Sequence, residues 1–168
     1  MSDERTLGET GLNEAFSRLR ERLSGSTIGD PMVSLAEVLE WCYRLDVYHS
    51  ERIGWPDYEA QRSASPDGKT EAGLIYARGL FTHSLFASGQ LVTRPAQMIY
   101  RRTGGRRGGS VMIGSGAVLA YHWKAFADLP APGKPERYGK DAHYQSYVAG
   151  QPLLPPLEAA ARFIVGIT

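Results

Sequence analysis

The sequence predicts a mainly α protein: a bundle of about four to five helices carrying a small antiparallel β insertion at about residues 97–125. Three observations carry this reading. Apolar residues recur at spacings of three and four on both sides of residues 50–70, the period of a helix with one buried face. After Arg94-Pro95 the period changes to short β-branched and aromatic runs divided by glycines. Beyond Pro130 the helical pattern returns.

The first helix covers Gly11 to Leu23, where Leu12, Ala15, Phe16, Leu19 and Leu23 form the stripe and Glu and Arg lie between them. The second runs from Val33 to His49, with Leu35, Val38, Leu39, Cys42 and Leu45 on one face and Glu37, Glu40 and Arg44 off it. Glu51 to Lys69 holds Ile53-Gly-Trp-Pro and Ser63-Ala-Ser-Pro-Asp-Gly, and reads as a long loop. Thr70 then offers an N-cap, and Leu74, Ile75, Leu80, Phe81, Leu85 and Phe86 carry a third helix to about Gly89. Met98-Ile-Tyr, Ser110-Val-Met-Ile and Ala117-Val-Leu-Ala-Tyr-His-Trp are the candidate strands. Pro130-Ala-Pro-Gly-Lys-Pro is a loop, Arg137 to Val148 a short helix closed by Gly150, and Pro155-Pro156 opens a last helix through Ile167. One domain spans 1–168, with core helices at about 10–93, the β insertion at 95–126 and C-terminal helices at 136–168.

Composition narrows the function classes. A chain of 168 residues buries a core without disulfide or metal staples, and its one cysteine, Cys42, sits on an apolar stripe as a small hydrophobe. No apolar run nears the roughly 18 residues of a membrane span and no leader opens the chain, so a cytoplasmic protein with no membrane partner is expected. Gly68-Lys69-Thr70 lacks the first glycine and the preceding strand of a phosphate loop; Gly114-Ser-Gly lacks the third glycine of a dinucleotide fingerprint. His49, His83, His122 and His143 share no metal-ligand spacing. No metal or other cofactor is expected.

The net charge of +1 conceals an arginine-rich chain, since of 19 basic residues only Lys69, Lys124, Lys134 and Lys140 are lysine. Arg101, Arg102, Arg106 and Arg107 crowd into a glycine-rich connection that would grip RNA phosphates without choosing bases, or else remain a solvated turn. Tyr121 and Trp123, at period two, read as strand packing before base stacking.

Arg78-Gly-Leu-Phe-Thr-His83 has the form Arg-x4-His. An imidazole titrating near neutrality moves the proton of a ribose 2′-hydroxyl or of the leaving oxygen, and a permanent guanidinium steadies the phosphorane. Arg44…His49 has the same form, and Arg137 precedes His143 with five residues between. What sets Arg78…His83 apart is its context: it follows the helix Leu35–Asp46, and Trp123-Lys-Ala-Phe-Ala-Asp-Leu-Pro130 and Tyr144-Gln-Ser-Tyr-Val-Ala-Gly-Gln-Pro-Leu153 come later in the chain. In this order the chain resembles small bacterial proteins of the HEPN superfamily, from about residue 10 to the C-terminus, leaving Arg94 to Val118 unmatched.

That resemblance implies a HEPN-like helical bundle, a homodimer, and a metal-independent endoribonuclease of bacterial defence or of a toxin–antitoxin system, with RNA and an antitoxin or other protein as partners. It implies His83 as general acid/base, Arg78 on the phosphorane and Thr82 as hydrogen-bond donor, leaving a 2′,3′-cyclic phosphate and a 5′-hydroxyl. Glu40, Arg44, Asp46 and His49 would line the cleft. The chain departs from the family at Gly79, where active members commonly carry a polar residue, often asparagine. Two alternatives follow from the residues. In one, Arg78 pairs with Glu40 or Asp46 and the domain is a catalytically degenerate binding module. In the other, Trp55 and Tyr58 mark a small-molecule sensor beside the loop at 51–69.

Overall fold

The computed structural model describes residues 3–25, 30–83, 91–97, 117–129, 136 and 138–167, with side chains described except at 81–83, 91–97 and 117–119. Among these residues six helices appear: α1 (Glu4–Leu23), α2 (Pro31–Ile53), α3 (Trp55–Ala64), α4 (Pro66–His83), α5 (Lys140–Tyr147) and α6 (Leu154–Gly166). Strands β1 (Leu91–Gln97) and β2 (Ala117–Trp123) lie between α4 and α5. The protein is mainly α, a helical bundle with a β hairpin.

The apolar stripes converge as their spacing predicts. Leu12, Ala15 and Leu19 of α1, Leu35, Leu39 and Leu45 of α2, Leu74 and Ala77 of α4, Tyr144 of α5 and Leu157 and Ile164 of α6 form one core. Cys42 is buried within it. Asp30 caps α2 by accepting the Met32 N–H at 2.9 Å, with Pro31 in the first turn.

Residues 51–69, read from the sequence as a loop, are helical nearly throughout. α2 continues to Ile53, Gly54 breaks it with φ 94°, and α3 starts at Trp55 with a proline in its first turn. Ser65 then caps α4, its Oγ accepting the Gly68 N–H at 3.0 Å, and Pro66 opens that helix. Pro56 and Pro66 therefore start helices, as their fixed φ and missing N–H allow at a first turn. Thr70, expected as the cap, lies inside α4 and donates to the Pro66 carbonyl at 2.8 Å. α1 also begins earlier than expected, where Arg5 and Glu9 pair one turn apart at 2.7 Å.

The hairpin differs from expectation at its start. β1 begins at Leu91, upstream of Pro95, and pairs antiparallel with β2 from Leu91↔Trp123 to Gln97↔Ala117. A two-stranded ladder consists of edges, where proline is tolerated. The expected runs Met98-Ile-Tyr and Ser110-Val-Met-Ile lie outside the described residues. On its other side β2 bonds to the α5–α6 connection: the Trp123 N–H donates to Gln151 O at 2.9 Å and the Leu153 N–H to Tyr121 O at 3.0 Å. Trp123 is fully buried edge-on to Tyr144, and its indole N–H donates to Leu153 O at 3.2 Å. Trp123 thus joins these backbone bonds in fastening the hairpin to the bundle; truncating such a residue costs about 3–5 kcal/mol.

Candidate functional site

α2 and α4 pack together, and two polar constellations stand along their seam. The first belongs to Arg78. Its Nε and Nη2 donate to Glu40 Oε2 at 3.3 and 2.8 Å, and the guanidinium lies 4.0 Å over the Tyr43 ring. From one turn further on α2, Arg44 donates to the other Glu40 oxygen at 3.2 Å and lies over Trp41. The Arg78 hydrogen bond holds the Glu40 carboxyl below its usual range against the opposing effect of burial, and Arg44 adds to it. Among the described residues, two guanidinium groups therefore bond to the one Glu40 carboxylate. The side chains are 22% exposed for Arg78, 40% for Glu40 and 62% for Arg44.

The other expected site residues do not gather there. Asp46 and His49, expected to line a cleft, are buried at 3% and 1% exposure. They fall on the inner face of α2 because positions 42, 45, 46 and 49 form the stripe that meets the core. Arg44 points outward and His49 inward, so the rival Arg44…His49 pair is split across the helix. Burial, then the charges of Arg5 and Arg52, push the His49 imidazole below its ordinary value, and its Nε2 has no hydrogen-bond partner among the described residues. Thr82 and His83 end α4, and their side chains lie outside the described set, as do Arg101, Arg102, Arg106 and Arg107.

The second constellation lies inward, where Asp46 of α2, Tyr58 and Arg62 of α3 and Glu71 of α4 meet. The Tyr58 hydroxyl donates to Asp46 Oδ1 at 2.7 Å, and Arg62 Nη1 donates to the same oxygen at 3.2 Å. Arg62 also pairs with Glu59 through Nη2 and stands 3.6 Å from Glu71 Oε2. Its guanidinium lies within cation–π distance of the Trp55 and Tyr58 rings, at 5.1 and 5.6 Å. Burial and the Asp46 charge raise the Glu71 carboxyl well above its ordinary value, against Arg62 and Lys140. Burial alone would lower Arg62, but Glu71, Asp46 and Glu59 carry it above its usual value.

Sequence reasoning named Trp55, Tyr58 and Asp46 but missed Arg62 and Glu71. One signal was present: Asp46 is a charged residue on the apolar face of α2, and a buried charge needs a partner. The partner's position was hidden inside the segment read as a loop.

Among the described residues no cluster of three or more His, Cys, Asp or Glu converges to hold a metal, and no helix is long and apolar enough to cross a membrane. A surface groove of about 310 Å³ is lined by Asn13, Phe16 and Arg20 of α1 and Glu158, Ala161 and Arg162 of α6. Its charges are matched, Arg20 by Glu158 and Arg162 by Asp67. Comparison of the chain with family models, with curated proteins and with solved structures gave no match.

Proposed function

We propose that the chain is a HEPN-like domain that acts on RNA through the α2–α4 face bearing Arg78, as a metal-independent endoribonuclease whose working form is a homodimer. The observation that supports this reading is the presentation of Arg78. Its guanidinium is stacked on Tyr43 and hydrogen-bonded to a carboxylate that it shares with Arg44, so a phosphate oxygen meets an oriented cation beside a second one. His83 follows five residues later on α4, about 140° around the helix axis. A single phosphate reaches both residues only in a cleft that wraps the helix, which a second copy supplies. In this reading His83 moves the proton, Arg78 stabilises the phosphorane, Thr82 donates a hydrogen bond, and Arg101, Arg102, Arg106 and Arg107 hold the RNA backbone. A setting in bacterial defence or beside an antitoxin follows from the family resemblance.

A second reading, a catalytically degenerate binding module, is favoured by one observation. Gly79 follows Arg78 although, among the described residues, nothing lies within 4 Å of a Cβ built there. The described residues thus leave room for the polar residue that active HEPN proteins commonly carry.

One experiment separates the two. Purified protein is incubated with RNA in EDTA beside His83→Ala and Arg78→Ala, and both cleavage and retention of RNA are followed. The nuclease reading expects products ending in a cyclic phosphate and a loss of about 100-fold or more in each variant. Cleavage unchanged in both variants sinks it. RNA retention without cleavage, weakened in Arg78→Ala, selects the binding module.

A further inference from the structure

α3 is attached to the bundle differently from the other helices. It has ten residues, and it buries only Tyr58 and Arg62. Both are polar and both end on Asp46 Oδ1. Against α6 the Tyr58 ring adds one contact, with Phe163 at 6.1 Å between centroids.

The joint beneath α3 is incompletely satisfied. Glu71 is fully buried, yet neither of its carboxyl oxygens has a hydrogen-bond partner among the described residues, and Arg62 Nε is in the same position. Buried polar atoms are ordinarily paired, and leaving them unpaired costs the desolvation of each. Lifting α3 would return these atoms to water, which offsets part of the loss of the Asp46 bonds. The two ends of α3 also differ. At its start Gly54 has φ 94° with nothing among the described residues within 4 Å of a built Cβ, and it makes the α2–α3 corner by donating to Ser50 O and accepting from the Tyr58 N–H, each at 3.0 Å. At its end a Cβ on Gly68 would collide with the Arg62 carbonyl oxygen, and the Gly68 and Lys69 amides bond to Ser65, so this end is held against α4.

We infer that α3 is a strap that unlatches from the α2–α4 seam while the rest of the bundle stays folded, uncovering the Asp46 and Glu71 carboxylates. A released helix of this length does not persist in water, since isolated helices shorter than about 12–15 residues are marginal. Unlatching is therefore melting of α3. Its consequence is electrostatic. Glu71 and Arg78 lie seven residues apart on α4, about two turns along one face, so an open strap adds two acidic groups to the seam that carries Arg78. The strap rests on the packing of α3 alone and stands independently of the RNA reading.

Native-state hydrogen exchange on the full chain, with urea added in steps below the unfolding transition, tests it. Amides of Tyr58 to Ala64 are expected to exchange at least tenfold faster than the cores of α2, α4 and α6, with little dependence on urea. Tyr58→Phe removes one bond to Asp46 and should speed α3 exchange several-fold while leaving α6 unchanged. Tyr144→Phe in α5, which removes the hydroxyl that donates to Lys124 O beyond β2, should leave α3 exchange relative to α6 as it is. Exchange of α3 at the rate and urea slope of α2, α4 and α6, or an equal acceleration of all helices in Tyr58→Phe, would overturn the proposal.

Discussion

Arg62 and Arg78 both reach carboxylates of α2, yet they sit in opposite surroundings. The Arg62 side chain is 2% exposed and faces Asp46, Glu59 and Glu71, three acids around one base. Arg78 is partly exposed and, among the described residues, shares Glu40 with Arg44. Burial decides what each can do. Inside the protein the attraction of an ion pair is offset by the desolvation of both partners, so the Arg62 cluster serves to fix where α3 docks more than to add net stability. Where the pair is partly exposed the desolvation cost is smaller, and so is the net worth of the Arg78–Glu40 bond. One seam therefore combines a buried clasp with a partly exposed face that carries Arg78.

The sharpest way to break this comparison is to remove each guanidinium and keep its stem. Arg62→Met leaves Asp46, Glu59 and Glu71 without their shared cation and should destabilise the fold by about 3–5 kcal/mol. Arg78→Met breaks a partly exposed pair and should cost less than about 1 kcal/mol. Urea unfolding of the two variants beside the parent measures both. Equal losses would mean that Arg78 is a structural residue and that the two arginines do not divide as described.

The same division governs how much could be read beforehand. The stripes of α1, α2, α4 and α6 were legible because each repeats an apolar residue at the helical period, and the core formed where they predict. α3 is hidden because it buries only Tyr58 and Arg62, which leaves no stripe, and because Pro56 and Pro66, which open helices, are equally at home in loops. Arg78 was visible as a motif, and its partner Glu40 was one of two carboxylates expected for it. Glu71 was not legible, since its neighbours Thr70 and Ala72 give no hint that it faces inward. Pairing across helices 16 and 38 residues apart, as for Arg62 with Asp46 and Arg78 with Glu40, is set by tertiary packing that local pattern does not encode.

Glu71 sharpens the clasp side of the comparison through pH. Its carboxyl is raised in the fold above the ordinary 4.5, chiefly by burial and then by Asp46, with Arg62 and Lys140 opposing. A group whose folded pKa is raised contributes stability below its unfolded value and loses it as pH rises toward the folded value. Glu71→Gln should therefore match the parent near pH 4 and become progressively more stable than it as pH rises to 7, by about 1.4 kcal/mol for each unit by which the folded carboxyl is raised. Thermal unfolding across this range tests the sign. A glutamine variant that loses ground with rising pH would show that Glu71 is held ionised by Arg62.

Gly79 sharpens the Arg78 side, with the smallest effect on stability. It lies within α4 with a normal helical backbone and, among the described residues, with nothing within 4 Å of a built Cβ. Glycine in a helix interior costs about 0.5–1 kcal/mol relative to alanine, so Gly79→Ala should stabilise the fold by that amount. Gly79→Asn should gain less, because asparagine is a weaker helix former that competes for backbone hydrogen bonds. On RNA the order should reverse. If the residue after Arg78 acts on the phosphate, Asn raises cleavage above the parent while Ala leaves it unchanged. Equal cleavage in all three proteins would assign Gly79 to helix stability alone and leave the chemistry to Arg78 and His83.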